Sequence, residues 1–146
     1  MSSFKGSYIY AVDEKGRVNL PAKLRKCVSP ESNETFVITR GFEKCLFVYP
    51  LDEWNKLEEK LRVLSSYDPE HRRFIRTLLE LAMECQLDAQ SRISIPQELR
   101  EYASIGDEVR ILGMLDKIEL WEPKVYDEYK NSLPETYESI AARVMR

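Results

Sequence analysis

The 146-residue sequence has few cysteines, few glycines and prolines, and no long apolar run. Its three cysteines, Cys27, Cys45 and Cys85, are odd in number and form no CxxC pair, so we expect neither a disulfide framework nor a metal site. Five glycines and seven prolines are too few for a disordered or fibrous chain. No apolar run approaches the roughly 20 residues of a membrane span, and the first residues lack the regions of a signal peptide. We therefore expect a globular, cytoplasmic protein.

The motifs of catalysis and nucleotide binding are also missing. The sequence has no P-loop, no GxGxxG and no HExxH, and none of its serines or cysteines lies in a nucleophile motif. The single histidine, His71, lies in the basic start of a predicted helix, where a surface position is the simpler interpretation. We therefore expect a protein that is not an enzyme and that needs no cofactor.

The charge is unevenly distributed along the chain. With 22 basic and 25 acidic residues the net charge is −3, which by itself argues against a nucleic-acid partner. Residues 1–28, however, carry a net charge of +4, whereas residues 29–100 sum to −3 and residues 101–146 to −4. The positive charge at the start of the chain can therefore form a local patch that faces phosphates.

An internal repeat is the strongest signal in the sequence. The segment DEKGRVNLPAKLR, which starts at residue 13, matches DAQSRISIPQELR, which starts at residue 88. A second match, at an offset of 73 instead of 75, aligns EKCLFVYP from residue 43 with DKIELWEP from residue 116. Because two matches occur in the same order, we infer a duplicated unit whose second copy has a connecting loop two residues shorter.

Each copy is predicted to begin with a strand, a turn and a second strand. Residues 8–12 are β-rich, residues 13–16 have turn composition, and residues 17–20 alternate between polar and apolar. Pro21 and Pro50 are placed to open helices. Asp68 and Pro69 are expected to cap and begin a connecting helix whose apolar stripe is Phe74, Leu78, Leu81 and Ala82.

These elements predict an α+β fold of two tandem β-rich units with flanking helices. A unit of roughly 45 residues can hardly bury a stable core alone, so the copies are expected to pack as a pseudo-twofold pair. We divide the chain into residues 5–52 as the first unit, 53–80 as connecting helices, 81–125 as the second unit and 126–146 as a C-terminal helical tail.

The doubled motif resembles the MraZ family of bacterial regulators, which belongs to the AbrB-like (SpoVT-AbrB) superfamily of swapped-hairpin DNA-binding proteins. The family pattern is Asp-x-x-x-Arg, typically with Gly before the Arg and Pro four residues after it. It stands here as Asp13, Arg17 and Pro21, and again as Asp88, Arg92 and Pro96. The segments FKG at residues 4–6 and RRFIR at residues 72–76 are similar as well. One departure is Ser91, which takes the place of Gly16 and would be mildly strained in a turn that needs positive φ.

The resemblance implies a sequence-specific transcriptional regulator, usually a repressor, of the division and cell-wall gene cluster, including its own promoter. It also implies AbrB-like units of the swapped-hairpin type, ring-like homo-oligomers, a nucleoid-associated location in the cytoplasm and no cofactor. A duplicated unit already contains its own twofold pairing, so subunits are left to join through unlike surfaces, which close into a ring if the rotation closes. We expect such a ring to bind double-stranded DNA at direct repeats in a promoter.

The strand period separates the candidate DNA contacts from the core. Val18 and Leu20 fall on one face of the strand, and Arg17 and Asn19 on the other, with the same parity in the second copy. Arginine offers a donor fork that suits phosphates and guanine, and asparagine can read adenine. We predict DNA contacts from Lys15, Arg17, Asn19, Arg92 and Ser94. Asp13, Gly16 and Asp88 are predicted to fix the turns, the aspartates by pairing with arginine or accepting turn amides.

Two other classes of function stay open. An AbrB-like protein-interaction module, such as the antidote of a toxin pair, usually has one DNA-binding unit and a disordered acidic tail. This chain has two units and a short tail, which favours the regulator. An enzyme that uses a pocket between the repeats would need a catalytic constellation, and the sequence offers none.

Overall fold

Residues 2–146 are described by a computed structural model. The strands are β1 (Ser7–Ala11), β2 (Arg17–Asn19), β3 (Thr35–Arg40), β4 (Leu46–Pro50), β5 (Met83–Gln86), β6 (Arg92–Ser94), β7 (Glu108–Met114) and β8 (Lys117–Trp121). The helices are α1 (Ala22–Arg25), α2 (Leu51–Arg62), α3 (Pro69–Leu79), α4 (Gln97–Ala103), α5 (Pro123–Ser132) and α6 (Tyr137–Val144), with a 3-10 turn at Pro30–Ser32. None of the described helices is both long and apolar enough to cross a membrane.

The two copies exchange their first hairpins. A six-stranded sheet runs in the order β1-β7-β8-β4-β3-β5, and β2 pairs with β6 in a separate two-stranded ribbon. Strand β1 of the first copy therefore pairs with β7 of the second, while β5 of the second copy pairs with β3 of the first. All of these pairs are antiparallel. The predicted α+β class with two tandem β-rich units and flanking helices is confirmed, and the exchange is that of a swapped hairpin.

The strand register contains a pseudo-twofold axis. In the ribbon, Arg17 pairs with Ser94, Val18 with Ile93 and Asn19 with Arg92. Because the repeat offset is 75, Val18 and Ile93 are equivalent positions and the axis passes between them. The duplication read from the sequence is thus also a spatial symmetry, with equivalent residues facing each other.

Two cores lie on opposite sides of the six-stranded sheet. The inner core joins the sheet to the ribbon and includes Val18, Leu20, Leu46, Val48, Ile93, Ile95, Ile118 and Leu120. The outer core lies beneath α2 and α5 and includes Cys45, Phe47, Tyr49, Trp54 and Trp121. Alternate residues of β4 and β8 divide between the two cores, as the strand period of two requires. Both cores contain residues of both copies, as expected for units too small to bury a stable core alone.

Several predicted helix boundaries differ from the structure. Pro21 and Pro50 are N-cap residues rather than first helical residues, so their helices begin one position later. Asp68 caps α3 as predicted, with its Oδ1 accepting a hydrogen bond from the Glu70 amide at 2.9 Å.

The apolar stripe predicted for the connecting helix is only partly correct. Leu78 is buried, but Leu81 and Ala82 lie beyond the end of α3, because this helix stops at Leu79 to let the chain enter β5. Phe74 is 39% exposed and its ring contacts that of Phe42, with centroids 6.0 Å apart. The helical period thus correctly predicts that Phe74 lies on the apolar face of α3. It does not predict how much of the Phe74 side chain is buried.

Candidate nucleic-acid interface

The β2–β6 ribbon turns its apolar side inward and its polar side outward. Val18 and Ile93 lie in the inner core with exposed fractions of 1% and 0%. Asn19 and Ser94 are exposed, and the side chains of Arg17 and Arg92 are 31% and 22% exposed. The predicted alternation is therefore confirmed, and four of the predicted contact residues share one surface: Arg17, Asn19, Arg92 and Ser94. Lys15 is exposed in the turn just before β2.

Asp13 organises the turn at residues 13–16. Its Oδ1 accepts the backbone amides of Lys15 at 3.0 Å and of Arg17 at 2.8 Å. Its Oδ2 accepts the Arg17 Nε–H at 2.7 Å. The carboxylate thus binds the turn backbone and the arginine side chain at the same time, which leaves the two Nη groups of Arg17 to face other ligands.

Asp88 repeats the same arrangement in the turn at residues 88–91. Its Oδ1 accepts the amides of Gln90 at 2.9 Å and of Arg92 at 3.0 Å, and its Oδ2 accepts the Arg92 Nε–H at 2.8 Å. In both turns these bonds lower the pKa of the aspartate, with the backbone amide of the arginine as the largest cause. Both carboxylates are therefore held ionised, and both arginines are held in one orientation.

Two contacts cross between the copies and make the site asymmetric. Arg92 Nη1 lies 3.7 Å from Asp13 Oδ2, so this guanidinium contacts both aspartates. Asn19 Nδ2 donates to the backbone oxygen of Gln90 at 2.8 Å, which ties β2 to the second turn. Arg17 pairs with Asp13 alone and is the more exposed of the two arginines. Asn19, which the sequence suggests only as a contact residue, also supports the neighbouring turn.

Arg25 and Arg100 support the ribbon from beneath. Their Nε groups donate to the backbone oxygens of Leu20 at 3.1 Å and of Ile95 at 3.0 Å, just after each ribbon strand. From its place in the basic segment after Pro21, Arg25 alone would be interpreted as a solvated helix residue or a DNA contact, and sequence position gives Arg100 no role of its own. Their recurrence at the repeat offset of 75 is the signal that could have identified this pair.

Gly16 is required by both its backbone angle and its surroundings. Its φ is +81°, and an added Cβ would lie 2.6 Å from Arg100 Nε and 2.9 Å from the Ile95 oxygen. Ser91, its counterpart in the second copy, has a φ of +60°. The strain expected at Ser91 is thus present, and the two turns have the same general form despite the different residue.

Substitutions at these two positions should show how much more strictly the first turn requires glycine than the second. We expect Gly16→Ala to lower the free energy of unfolding by about 1–3 kcal/mol, since it adds both positive-φ strain and a clash. Ser91→Gly should change it by less than about 1 kcal/mol, because relief of strain is offset by a more flexible unfolded chain. Urea denaturation of both variants measures the difference. Equal stabilities would mean that the close approach of Arg100 is relieved without cost.

Comparison with known proteins places the chain in one family. The family model for "MraZ protein", whose description adds a likeness to antitoxins, matches residues 3–77 and again residues 78–145. The chain belongs to the MraZ family. The resemblance seen in the doubled Asp-x-x-x-Arg motif is therefore confirmed, and the two matches of the MraZ model follow the two copies.

Relatives in the MraZ family match this chain over nearly its whole length. The "Transcriptional regulator MraZ" of Halothermothrix orenii is 48% identical over 139 residues, which are 95% of this chain and 94% of the relative. Proteins of the same name from Caldanaerobacter subterraneus subsp. tengcongensis and Desulfitobacterium hafniense (strain Y51) are 44% and 41% identical. These alignments cover 93% and 94% of this chain, and 92% and 94% of the two relatives.

Proposed function

We propose that this chain is a sequence-specific, DNA-binding transcriptional regulator that docks its β2–β6 ribbon and the adjoining turns on double-stranded DNA. The observation that carries the proposal is the pair of arginines on the exposed side of the ribbon, each fixed through Nε by its own aspartate. A two-stranded β-ribbon fits the major groove, which is about 12 Å wide. Fixing the arginines before binding reduces the entropy that they lose on contact.

The residues of the ribbon and its first turn have two proposed roles: some contact base edges, and others contact the phosphate backbone of the DNA. Arg17 and Arg92 present their Nη groups for guanine edges or phosphates, the ligands that a guanidinium fork fits best. Lys15, at the exposed first turn, is placed for a phosphate. Asn19 and Ser94 lie beside the arginines in the ribbon register and contribute neighbouring contacts. The favourable charge is local, because residues 1–28 carry +4 in a chain of net charge −3.

The regulator acts as a repressor of the division and cell-wall gene cluster, including its own promoter, as its family resemblance implies. It works as a closed ring of identical subunits on direct repeats, in the cytoplasm and in association with the nucleoid. It catalyses no reaction and needs no cofactor for catalysis. The likeness to antitoxins in the family description supports a toxin antidote as a second candidate.

Footprinting of the purified protein on the DNA upstream of its own gene tests the proposal. We expect the wild-type protein to protect a region made of short repeats. This protection should occur at protein concentrations at which unrelated DNA is not protected. The Arg17→Ala variant, at the same concentrations, should protect nothing. A wild-type protein that protects no region, but co-purifies with a small partner protein in stable stoichiometry, would instead support the antidote.

A further inference from the structure

A second polar cluster lies on the face of the six-stranded sheet that is turned away from the ribbon. It consists of Glu43 in the turn between β3 and β4, Cys45 at the end of that turn and Glu119 in β8. One carboxylate oxygen of each glutamate and the Cys45 sulfur all lie within 4.8 Å of one another. Cys45 belongs to the outer core, and Glu119 alternates along β8 with Ile118 and Leu120 of the inner core. The cluster is therefore separate from the DNA-facing surface.

The Cys45 thiol is buried, and the backbone of Glu43 is its polar neighbour. Cys45 is 0% exposed, and no side chain among residues 2–146 hydrogen-bonds to its sulfur. Glu119 is 7% exposed, and its Oε1 accepts the Trp121 Nε1–H at 2.9 Å. Glu43 is partly buried, and its Oε2 accepts the Tyr129 hydroxyl at 3.4 Å. Two acidic groups thus face a buried thiol in a place that water hardly reaches.

Lys117 is a positively charged residue close enough to act on Glu119, and its ammonium is paired with another carboxylate. Lys117, two residues before Glu119, pairs with Asp116 at 3.2 Å, and its ammonium lies 5.1 Å from the centre of the Phe47 ring. Burial and the charges of Glu119 and Glu43 raise the pKa of Cys45 to about 12, and burial also raises the pKa of Glu119.

We propose that Glu43, Cys45 and Glu119 bind one Zn²⁺ ion, with a water molecule as the fourth ligand. A thiolate with two carboxylates suits zinc, whereas magnesium and calcium take oxygen ligands in larger shells. Tetrahedral zinc holds such donor atoms roughly 3.3–3.5 Å apart, so the three donor atoms, which now lie within 4.8 Å of one another, would move closer together on binding. The bound ion replaces the thiol proton, which is released to solvent.

The site would fasten the two copies together. Glu43 and Cys45 come from the first copy and Glu119 from the second, so one ion joins the β3–β4 turn to β8. Trp121 and Tyr129 would then act as outer partners that orient the two carboxylates. Cysteine spacing alone predicts no metal site, because the ligands are separated by 74 residues and two of them are glutamates.

Zinc binding by the full-length, tag-free protein tests this assignment. The protein is stripped with a chelator, dialysed against Zn²⁺ alone, and analysed for bound metal. We expect about one zinc per chain and a melting temperature raised by about 5–10 °C at a hundredfold excess over Kd. Replacement by Co²⁺ should give the near-ultraviolet charge-transfer band of a thiolate ligand.

Matched variants separate this site from other cysteines and from DNA binding. Glu119→Gln keeps an oxygen for the Trp121 hydrogen bond but should bind zinc at least tenfold more weakly, as should Cys45→Ser. Cys85→Ser and Arg17→Ala should bind zinc like the wild type. If Cys45→Ser does not fold, Glu119→Gln decides alone. Wild-type protein without stoichiometric zinc, or undiminished binding by Glu119→Gln, would overturn the proposal.

Discussion

Replacing Arg17 with alanine is expected to weaken operator binding by about 1–3 kcal/mol per subunit while leaving the fold intact. The side chain is 31% exposed and contributes nothing to the inner core, so its loss creates no cavity. Its Nε is already engaged by Asp13, which means that the lost DNA contact is the one made by the two Nη groups. In an assembly of several subunits the loss multiplies. Gel shifts on the promoter, with circular dichroism as the check on folding, measure both parts.

Three matched variants make this prediction specific. Arg17→Lys keeps the charge but not the fork, so it should retain general DNA affinity and lose most of the discrimination. Arg92→Ala should cost less than Arg17→Ala, because Arg92 is 22% exposed and part of its guanidinium faces Asp13. Arg25→Ala removes the hydrogen bond to the Leu20 oxygen. We expect it to lower the free energy of unfolding, and to reduce the free energy of promoter binding by a smaller amount. Unchanged promoter binding by Arg17→Ala would remove this residue from the interface.

The polar face of the ribbon could be predicted from sequence because its physics is local. A strand period of two fixes which side of β2 faces the core, and an Asp four residues before an Arg reaches both the turn amides and the guanidinium. The second copy of the motif shows the same alternation and the same Asp–Arg spacing, which supports the prediction independently. Nothing beyond residues 13–20 and their copy is needed for this part of the site.

Contacts between the two copies could not be predicted from the local sequence pattern. The contact of Asn19 with Gln90 spans 71 residues, and the approach of Arg100 to Gly16 spans 84. Periodicity describes how a side chain leaves its own strand or helix, but not which distant backbone it meets. The exchange of hairpins was expected from the family resemblance alone, since a hairpin folded back on its own copy would show the same alternation.

The arrangement of sites on DNA follows from the twofold symmetry inside one chain. Single-unit relatives with swapped hairpins would need two chains to build a ribbon, whereas this chain builds β2–β6 by itself. In the proposed ring, the interface between subunits therefore uses other surfaces. Identical subunits that join through unlike surfaces keep one rotational sense around a ring. In such a ring each subunit would present its ribbon in the same orientation along the DNA, and we therefore expect direct repeats.

Inserting about 5 base pairs between two such repeats should reduce promoter affinity by roughly 10²–10⁴-fold, the gain that tethering otherwise provides. One helical turn is about 10 base pairs, so half a turn moves the second repeat to the far side of the duplex. An insertion of about 10 base pairs restores the face and should recover much of the affinity, which makes it the matched control. Light scattering of the free protein should give a mass well above that of a dimer. A dimer that binds an inverted repeat, with no difference between the two insertions, would contradict the ring, because the phase of successive sites then carries no information.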